Sequence, residues 1–243
     1  EVLQIGATRI SGTIPSILGD GAPNLRQLGA TRSELSGTVG HSFSRLRDLQ
    51  SLELSEVPIS GTISKALLNE WPDLVNFDVG RSKISGTLAV HLNHLPAAEV
   101  FDVDHTMVSG TLPTGPFPSN LKLLELDRTR ISGTMPPSLG ATARKLQRVE
   151  MDDGVFLGTL PPVLSWSGDL EWLEIDRNPF SGTLPPEMFR NLGKLERLDI
   201  GAGYFSGTLP TQLGLMGSMR DFRPCITLIS GTLPPEMFSP MQD

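Results

Sequence analysis

The chain has 243 residues, of which 38% are hydrophobic, 25 are glycine and 20 are proline. Its net charge of −7 argues against a nucleic-acid partner, because that role favours a basic stripe. It contains no run of about 18 apolar residues, so the sequence predicts no membrane-spanning helix.

One short phrase recurs along the whole chain: an apolar residue, usually Ser, then Gly-Thr and another apolar residue. It first appears at Ile10–Ile14 and last at Ile229–Leu233. Successive phrase glycines are 23 to 25 residues apart. They are Gly12, Gly37, Gly61, Gly86, Gly110, Gly133, Gly158, Gly182, Gly207 and Gly231. This period predicts a single elongated domain over residues 1–243, with about ten repeats and without polar caps at either end.

Each repeat begins with the pattern Leu-x-x-Leu-x-Leu, as at Leu170, Leu173 and Ile175. Its alternating part predicts a short strand with every second side chain inward, and stacked strands would form a parallel sheet. The following glycine is expected at a tight bend or a close approach between coils. The segment beyond it, often containing proline as at Pro161, predicts a 3₁₀ or helical turn. The fifth repeat is the shortest, and the apolar residue of this segment, Phe117, is out of register with those of the other repeats.

Ser and Thr flank almost every phrase glycine, with Leu157 as the exception in the Ser column. We expect the hydroxyls to satisfy backbone groups along a second, short parallel ladder. A regular rank of Thr can also indicate ice binding, and the structural role is favoured here.

The pattern resembles the plant-type class of leucine-rich repeats, which has Leu-x-Gly-x-Ile-Pro after the strand. The sequences at Ser181–Glu187 and Ser230–Glu236 most resemble the repeats of the kinetoplastid promastigote surface antigens. Most leucine-rich repeats place Asn four residues before the glycine, whereas this chain often has Thr, as at Thr8 and Thr129. The Cys-bearing caps and lipid-anchor signal usual in that family are not visible. The resemblance implies an α/β leucine-rich repeat solenoid, a right-handed curved coil with a parallel sheet on its concave face.

The resemblance also implies a non-catalytic recognition or adhesion domain on a cell surface, contacting host components or resisting innate defence. It would be extracellular and held by a lipid anchor outside this chain. Three alternatives remain: a plant-type receptor or inhibitor ectodomain, an intracellular protein-interaction scaffold, and a repeat array attached to an enzyme whose chemistry lies elsewhere.

Carboxylates form two predicted columns on the exposed strand face. Seven consecutive repeats carry one eight residues before the glycine, including Glu125, Glu150 and Glu174, and a second column holds Asp104, Asp127, Asp152 and Asp176. Strands lie about 4.8 Å apart, where two like charges repel by about 0.9 kcal/mol even in water. Arg32, Arg81, Arg128 and Arg177 are expected to compensate from one side, and Arg148 and Arg197 from the other. The face is either solvated and salt-bridged or a docking surface for a basic protein partner or a divalent cation, with a glycan as a further ligand class.

Trp172 lies ten residues before its glycine and should point outward between Arg148 and Arg197 on adjacent strands. Stacking of the two guanidinium groups on the indole and an interface hot spot are both consistent with this composition. Leu123 and Val100 extend the patch. The alternative is that the Arg stems simply cover the indole.

The sequence shows no catalytic constellation, cofactor motif or calcium-binding loop, so no enzyme activity, cofactor or metal site is predicted. His91 and His94 are three residues apart but lack a supporting carboxylate or Cys, which makes them a weak metal pair. The lone Cys225 gives no disulfide framework; a bond to a cap residue outside the chain and a reactive thiol are both open.

Overall fold

The main sheet contains one strand from each repeat. The computed structural model describes residues 1–87, 92–161 and 166–237. In these ranges, ten parallel strands pair in consecutive order along the chain, which confirms the predicted sheet. The strands are Val2–Gln4, Gln27–Gly29, Ser51–Glu53, Asn76–Asp78, Val100–Asp102, Leu123–Glu125, Arg148–Glu150, Trp172–Glu174, Arg197–Asp199 and Asp221–Arg223.

The recurring phrase builds a second ladder, which is also parallel and is split into sheets of seven and four strands within the described ranges. The first sheet contains Ser11–Thr13, Glu34–Val39, Ile59–Ile63, Lys83–Thr87, Met107–Thr111, Arg130–Gly133 and Val155–Phe156. The second contains Gly158–Thr159, Phe180–Thr183, Tyr204–Gly207 and Leu228–Ile229. The split falls at Leu157, where the Ser column is interrupted.

Short helical turns connect the two ladders, as the proline-containing segments predict. Within the part of the chain that the structure describes, three are α-helical: Leu18–Gly21, Lys65–Leu68 and Ser138–Thr142. Four described turns are 3₁₀ helices: His41–Arg45, Leu92–His94, Pro186–Phe189 and Thr211–Leu215. The resulting architecture is a solenoid in which each repeat contributes one coil.

The core is a stack of apolar layers between the two ladders. Leu52, Leu124 and Leu173, each nine residues before its glycine, are fully buried. Buried aromatic rings continue the stack between coils, with Phe77 and Phe101 centred 5.2 Å apart. The inward half of the strand pattern is therefore confirmed. Each fully buried side chain of this size stabilises the fold by roughly 1.5–3 kcal/mol.

The phrase glycine allows close stacking of successive coils. At Gly182 the backbone has φ of 84°, and a Cβ would lie 2.8 Å from Cγ2 of Thr159 in the preceding coil. The preceding Ser bridges the same coils, since Oγ of Ser85 donates to the carbonyl oxygen of Gly61 at 3.1 Å. The close approach at the glycine and the backbone hydrogen bond of the Ser hydroxyl are confirmed. The Thr hydroxyls differ from the expectation, because those of Thr38 and Thr62 lie 3.4 Å from a Ser hydroxyl of the next coil and not beside a backbone group.

Every main-sheet strand is followed by a residue in the left-handed region, a feature that the sequence did not reveal. This residue lies five positions before the phrase glycine, and its φ is between 49° and 59°. The ten residues are Ala7, Arg32, Glu56, Arg81, His105, Arg128, Asp153, Arg177, Ala202 and Ile226. Because few of these residue types favour that region, the turn is imposed by the stacking of the coils.

Candidate binding face

The outward side of the main sheet carries both predicted carboxylate columns. In the first column, called here the carboxylate column, Cα pairing places each acid beside the next. Its members are Glu53, Asp78, Asp102, Glu125, Glu150, Glu174 and Asp199. The second column lies two residues later, just beyond the ends of four strands, at Asp104, Asp127, Asp152 and Asp176. The alignment of the two columns agrees with the sequence.

Two arginines neutralise the C-terminal half of the carboxylate column. The guanidinium of Arg148 contacts Glu150, and its Nε lies 3.6 Å from Oε1 of Glu125. Nε of Arg197 lies 2.5 Å from Oε1 of Glu174. Both arginines lie ten residues before a phrase glycine, as the sequence predicts. They are the first residues of their strands, so their side chains approach the acids from the side opposite the left-handed turns, which follow the strands.

Trp172 lies between these two arginines. The centroid of its indole is 4.3 Å from Cζ of Arg148 and 5.3 Å from Cζ of Arg197. Such contacts contribute about 0.5–1 kcal/mol each at exposed sites. Leu123 and Val100 occupy the same position on the next two strands and are half-buried. The structure thus assembles the patch, whose role in binding stays a prediction.

Four acids of the N-terminal half have no ion-pair partner among the residues described; we call them the acidic quartet. Its members are Glu53, Asp78, Asp102 and Asp127. Their oxygens accept hydrogen bonds from neutral donors instead. Oγ of Ser55 donates to Oδ2 of Asp78 at 2.8 Å, and the backbone N–H of Asp152 donates to Oδ1 of Asp127 at 2.9 Å. Sequence reasoning did not separate these acids from the paired ones. The signal was available, because no arginine lies ten residues before the glycine in this half.

Burial makes several of these carboxyl groups weak acids. It raises the pKa of Asp102 to about 9, and the negative charges of Glu125 and Asp78 act in the same direction. Burial likewise raises the pKa of Asp127 to about 10, with a further contribution from Asp152. In the paired half, burial raises the pKa of Glu174 to about 7, although Arg197 opposes the shift. Asp102 and Asp127 therefore hold their protons more tightly than exposed carboxyl groups do, which limits repulsion between neighbouring strands.

The arginines at the left-handed turns compensate the acids less uniformly than expected. Arg81 pairs with Asp104 of the second column, with its Nε 3.3 Å from Oδ2. Arg32 instead pairs with Glu56, and Nε of Arg128 lies 2.9 Å from Asp153. Both of these acids occupy the same turn position one repeat later. The expectation that these arginines compensate the columns was wrong for Arg32, because the turn directs its side chain along the row of turns. Arg128 also makes its ion pair along that row, but its charge still acts on Asp127 and Asp152 of the second column.

One carboxylate cluster has the dimensions of a metal site. Ligand oxygens of Asp152, Glu174 and Asp176 lie within 4.8 Å of one another. Nη1 of Arg177 lies 3.7 Å from Oδ2 of Asp152 and 3.4 Å from Oδ2 of Asp176. The chain thus supplies its own cation to this cluster.

Three further predictions concern the histidine pair, Cys225 and membrane-spanning helices. His91 lies outside the described residues, so the His91–His94 metal pair stays a prediction. Cys225 is exposed as a free thiol. Among the described residues, no helix has the length and apolar character needed to cross a bilayer.

Comparisons with known proteins support the architecture. Residues 169–192 match the family described as Leucine Rich Repeat. No curated protein matches the chain. The ectodomain of the Arabidopsis thaliana receptor kinase GASSHO1/SCHENGEN3, solved with CASPARIAN STRIP INTEGRITY FACTOR 2, is 23% identical, with a TM-score of 0.85 over 99% of this chain and 32% of that one.

Two further plant structures are similar. The peptide hormone receptor RGFR1, in complex with RGF2, is 24% identical, with a TM-score of 0.76 over 97% of this chain and 41% of that one. A plant ice-binding protein is 22% identical, with a TM-score of 0.82 over 96% of this chain and 74% of that one. The chain therefore has the leucine-rich repeat solenoid fold, and it spans less than half the length of the two receptor chains.

Proposed function

We propose that this chain is a non-catalytic recognition module that binds a protein partner on the outward, concave side of its main sheet. The observation that carries this proposal is the position of Trp172 between Arg148 and Arg197. Trp and Arg are enriched among the residues that dominate binding energy at protein interfaces. Here the three side chains hold one another in place, so little rotamer freedom remains to be lost on binding.

The similar receptor ectodomains support a protein or peptide ligand over a glycan. GASSHO1/SCHENGEN3 and RGFR1 were both solved with such ligands, and their fold is the one found here. A receptor or inhibitor ectodomain is accordingly the main alternative to a free-standing adhesion domain.

We further propose that the module acts outside the cell, in adhesion at a cell surface and through a lipid anchor located elsewhere in the protein. This proposal depends on the sequence at Ser181–Glu187, which resembles the repeats of parasite surface antigens. An intracellular interaction scaffold is the competing possibility, because the one cysteine is not in a disulfide.

The test compares Trp172→Ala with Tyr204→Ala in binding to immobilised extracellular-matrix and serum proteins. Tyr204 is 63% exposed on the second ladder and serves as a matched aromatic control. We expect Trp172→Ala to weaken binding by about 30-fold, the effect of a typical hot spot, and Tyr204→Ala to leave it unchanged. Circular dichroism would check that both variants fold. Wild-type affinity in folded Trp172→Ala, or an equal loss in Tyr204→Ala, would reject the proposal.

A further inference from the structure

A groove lies among the segments that connect the second ladder to the next main-sheet strand, outside the binding face described above. It has a volume of about 440 Å³ and is formed by three successive repeats. Its lining includes Gly140, Arg144, Trp166, Ser167, Gly168 and Asn191. The two glycines have no side chains to fill the groove, and its volume is in the range of small-molecule sites.

Arg144 brings a positive charge to this groove. Its side chain is exposed, and it has no ion-pair partner among the residues that the structure describes. Its Nε donates to the carbonyl oxygen of Ala141 at 3.2 Å, and its own carbonyl oxygen accepts from Oγ of Ser167 at 2.6 Å. These contacts hold the guanidinium at the groove while its two terminal nitrogens retain their capacity to donate.

The charges next to the groove add to this positive character. Lys145 follows Arg144, and its Nζ donates to a neutral acceptor, Oδ1 of Asn120, at 2.9 Å. Asp169, which follows Gly168 of the lining, is paired with Lys194 at 2.7 Å. The groove is therefore a local positive region in a chain whose net charge is −7. Such a region favours an anionic ligand.

The indole of Trp166 supplies a second, independent feature of the groove. Trp166 lines it and is 3% exposed, and its buried Nε1 has no acceptor among the described residues. Elsewhere the chain satisfies this group itself, since Nε1 of Trp71 donates to the carbonyl oxygen of Phe43 at 3.1 Å. A buried N–H without an acceptor is costly, so an oxygen atom bound beside this indole would be stabilised.

We propose that this groove binds a small sugar acid, whose oxyanion is held by the guanidinium of Arg144 and accepts a hydrogen bond from Nε1 of Trp166. The planar fork of a guanidinium matches both a carboxylate and a phosphate group. The side-chain amide of Asn191, exposed on the lining, offers a donor and an acceptor to the hydroxyl groups of the same ligand. The site goes beyond the proposed function, because it lies outside the main sheet.

The test uses the indole N–H signals in nuclear magnetic resonance spectra, because the chain has three tryptophans. Trp166→Phe identifies the signal of Trp166 by its loss. The protein is titrated with glucuronate, glucose-6-phosphate and neutral glucose. We expect at least one of the two acids to shift the Trp166 signal with saturation in the millimolar range, and glucose to leave it in place. The acid that binds more tightly shows whether the ligand group is a carboxylate or a phosphate.

Arg144→Gln should weaken binding of that acid by at least about tenfold. Arg130→Gln is the matched control, because Arg130 is also exposed and has no ion pair within the described ranges. The control has the same net charge and should bind within about twofold of the wild type. Thermal unfolding would verify that both variants fold.

Equal losses in Arg144→Gln and Arg130→Gln would show only a net-charge effect and overturn the inference. An equal response to glucose, binding that leaves the Trp166 signal unshifted, or no binding to the wild type would also overturn it. Trp172→Ala separates this site from the proposed function, since it should retain acid binding whatever its effect on a protein partner. Loss of acid binding in folded Trp172→Ala would place that binding on the main sheet and reject the groove.

Discussion

Nδ2 of Asn178 donates a hydrogen bond to the carbonyl oxygen of Met151, one repeat earlier, at 2.6 Å. Its Oδ1 accepts from the backbone N–H of Phe156 at 3.0 Å, also in the preceding coil. In most repeats the same position holds a hydroxyl residue that bonds only within its own turn, as Thr129 does to Leu126 at 2.8 Å. Asn178 therefore joins two coils where the hydroxyl residues stabilise one.

Replacing Asn178 by Ala should lower stability more than replacing Thr129 by Ala. The side chain of Asn178 is 2% exposed, so its loss leaves Met151 and Phe156 with buried, unsatisfied backbone groups. Each such group costs about 1–3 kcal/mol. Thr129→Ala removes two hydrogen bonds within one turn, one to the carbonyl oxygen of Leu126 and a longer one from the N–H of Ile131, each worth about 1 kcal/mol, whereas Asn178→Ala removes four. Urea unfolding followed by circular dichroism measures both. Equal losses in the two variants would show that Asn178 has no role between coils.

A glycine pair tests the close approach between coils. Gly182→Ala should destabilise the fold strongly, because an L-residue at φ of 84° is strained and its Cβ would meet Thr159. The left-handed conformation alone costs about 1–2 kcal/mol for a residue with a Cβ. Gly193→Ala is the control, since its Cβ would have no atom within 4 Å. Thermal unfolding should show a clear drop for Gly182→Ala and little change for Gly193→Ala. A similar melting temperature for the two variants would contradict the packing argument.

The repeat phrase made the frame of the fold predictable. The alternation of inward and outward residues in each strand placed Leu173 in the core and Trp172 outside, because side chains alternate at a period of two. The constant distance to the phrase glycine then aligned Trp172 with Arg148 and Arg197. Both inferences need only local geometry and stacking.

Features set by contacts between coils were not predictable in the same way. The left-handed turn occurs at residues as different as Ala7, Arg128 and Ile226, so the residue type at this position does not predict it. Because that turn directs Arg128 toward Asp153, its ion-pair partner also differs from the expected one. The bridge made by Asn178 similarly depends on backbone groups of Met151 and Phe156, whose positions exist only in the folded stack.

The raised pKa values of the buried acids predict that the free energy of unfolding falls as the pH rises. Burial raises the pKa of Asp102 to about 9, well above that of an unfolded Asp, so the folded state binds this proton more tightly. The stabilisation is complete below about pH 4 and is lost as the pH rises toward 9. Unfolding free energy should therefore fall between these values. Asp102→Asn should flatten this fall and be more stable than the wild type near pH 8.

Urea unfolding at several pH values measures this effect, with exposed Asp48→Asn as the control. Asp127 should leave part of the slope in the Asp102→Asn variant, because burial also raises its pKa, to about 10. A profile unchanged by Asp102→Asn would show that this carboxyl group does not hold its proton in the fold.

Arg177 should determine whether the cluster of Asp152, Glu174 and Asp176 binds calcium. Its Nη1 lies within 3.7 Å of oxygens of Asp152 and Asp176, so its charge competes with any divalent ion. We expect millimolar Ca²⁺, the affinity range of extracellular calcium modules, to leave the melting temperature of the wild type unchanged. In Arg177→Gln the same Ca²⁺ should raise it by a few degrees, because binding to the folded state alone stabilises it. Arg32→Gln, which frees only Glu56, is the matched control and should not respond. A calcium response in the wild type, or none in Arg177→Gln, would show that the guanidinium does not control this cluster.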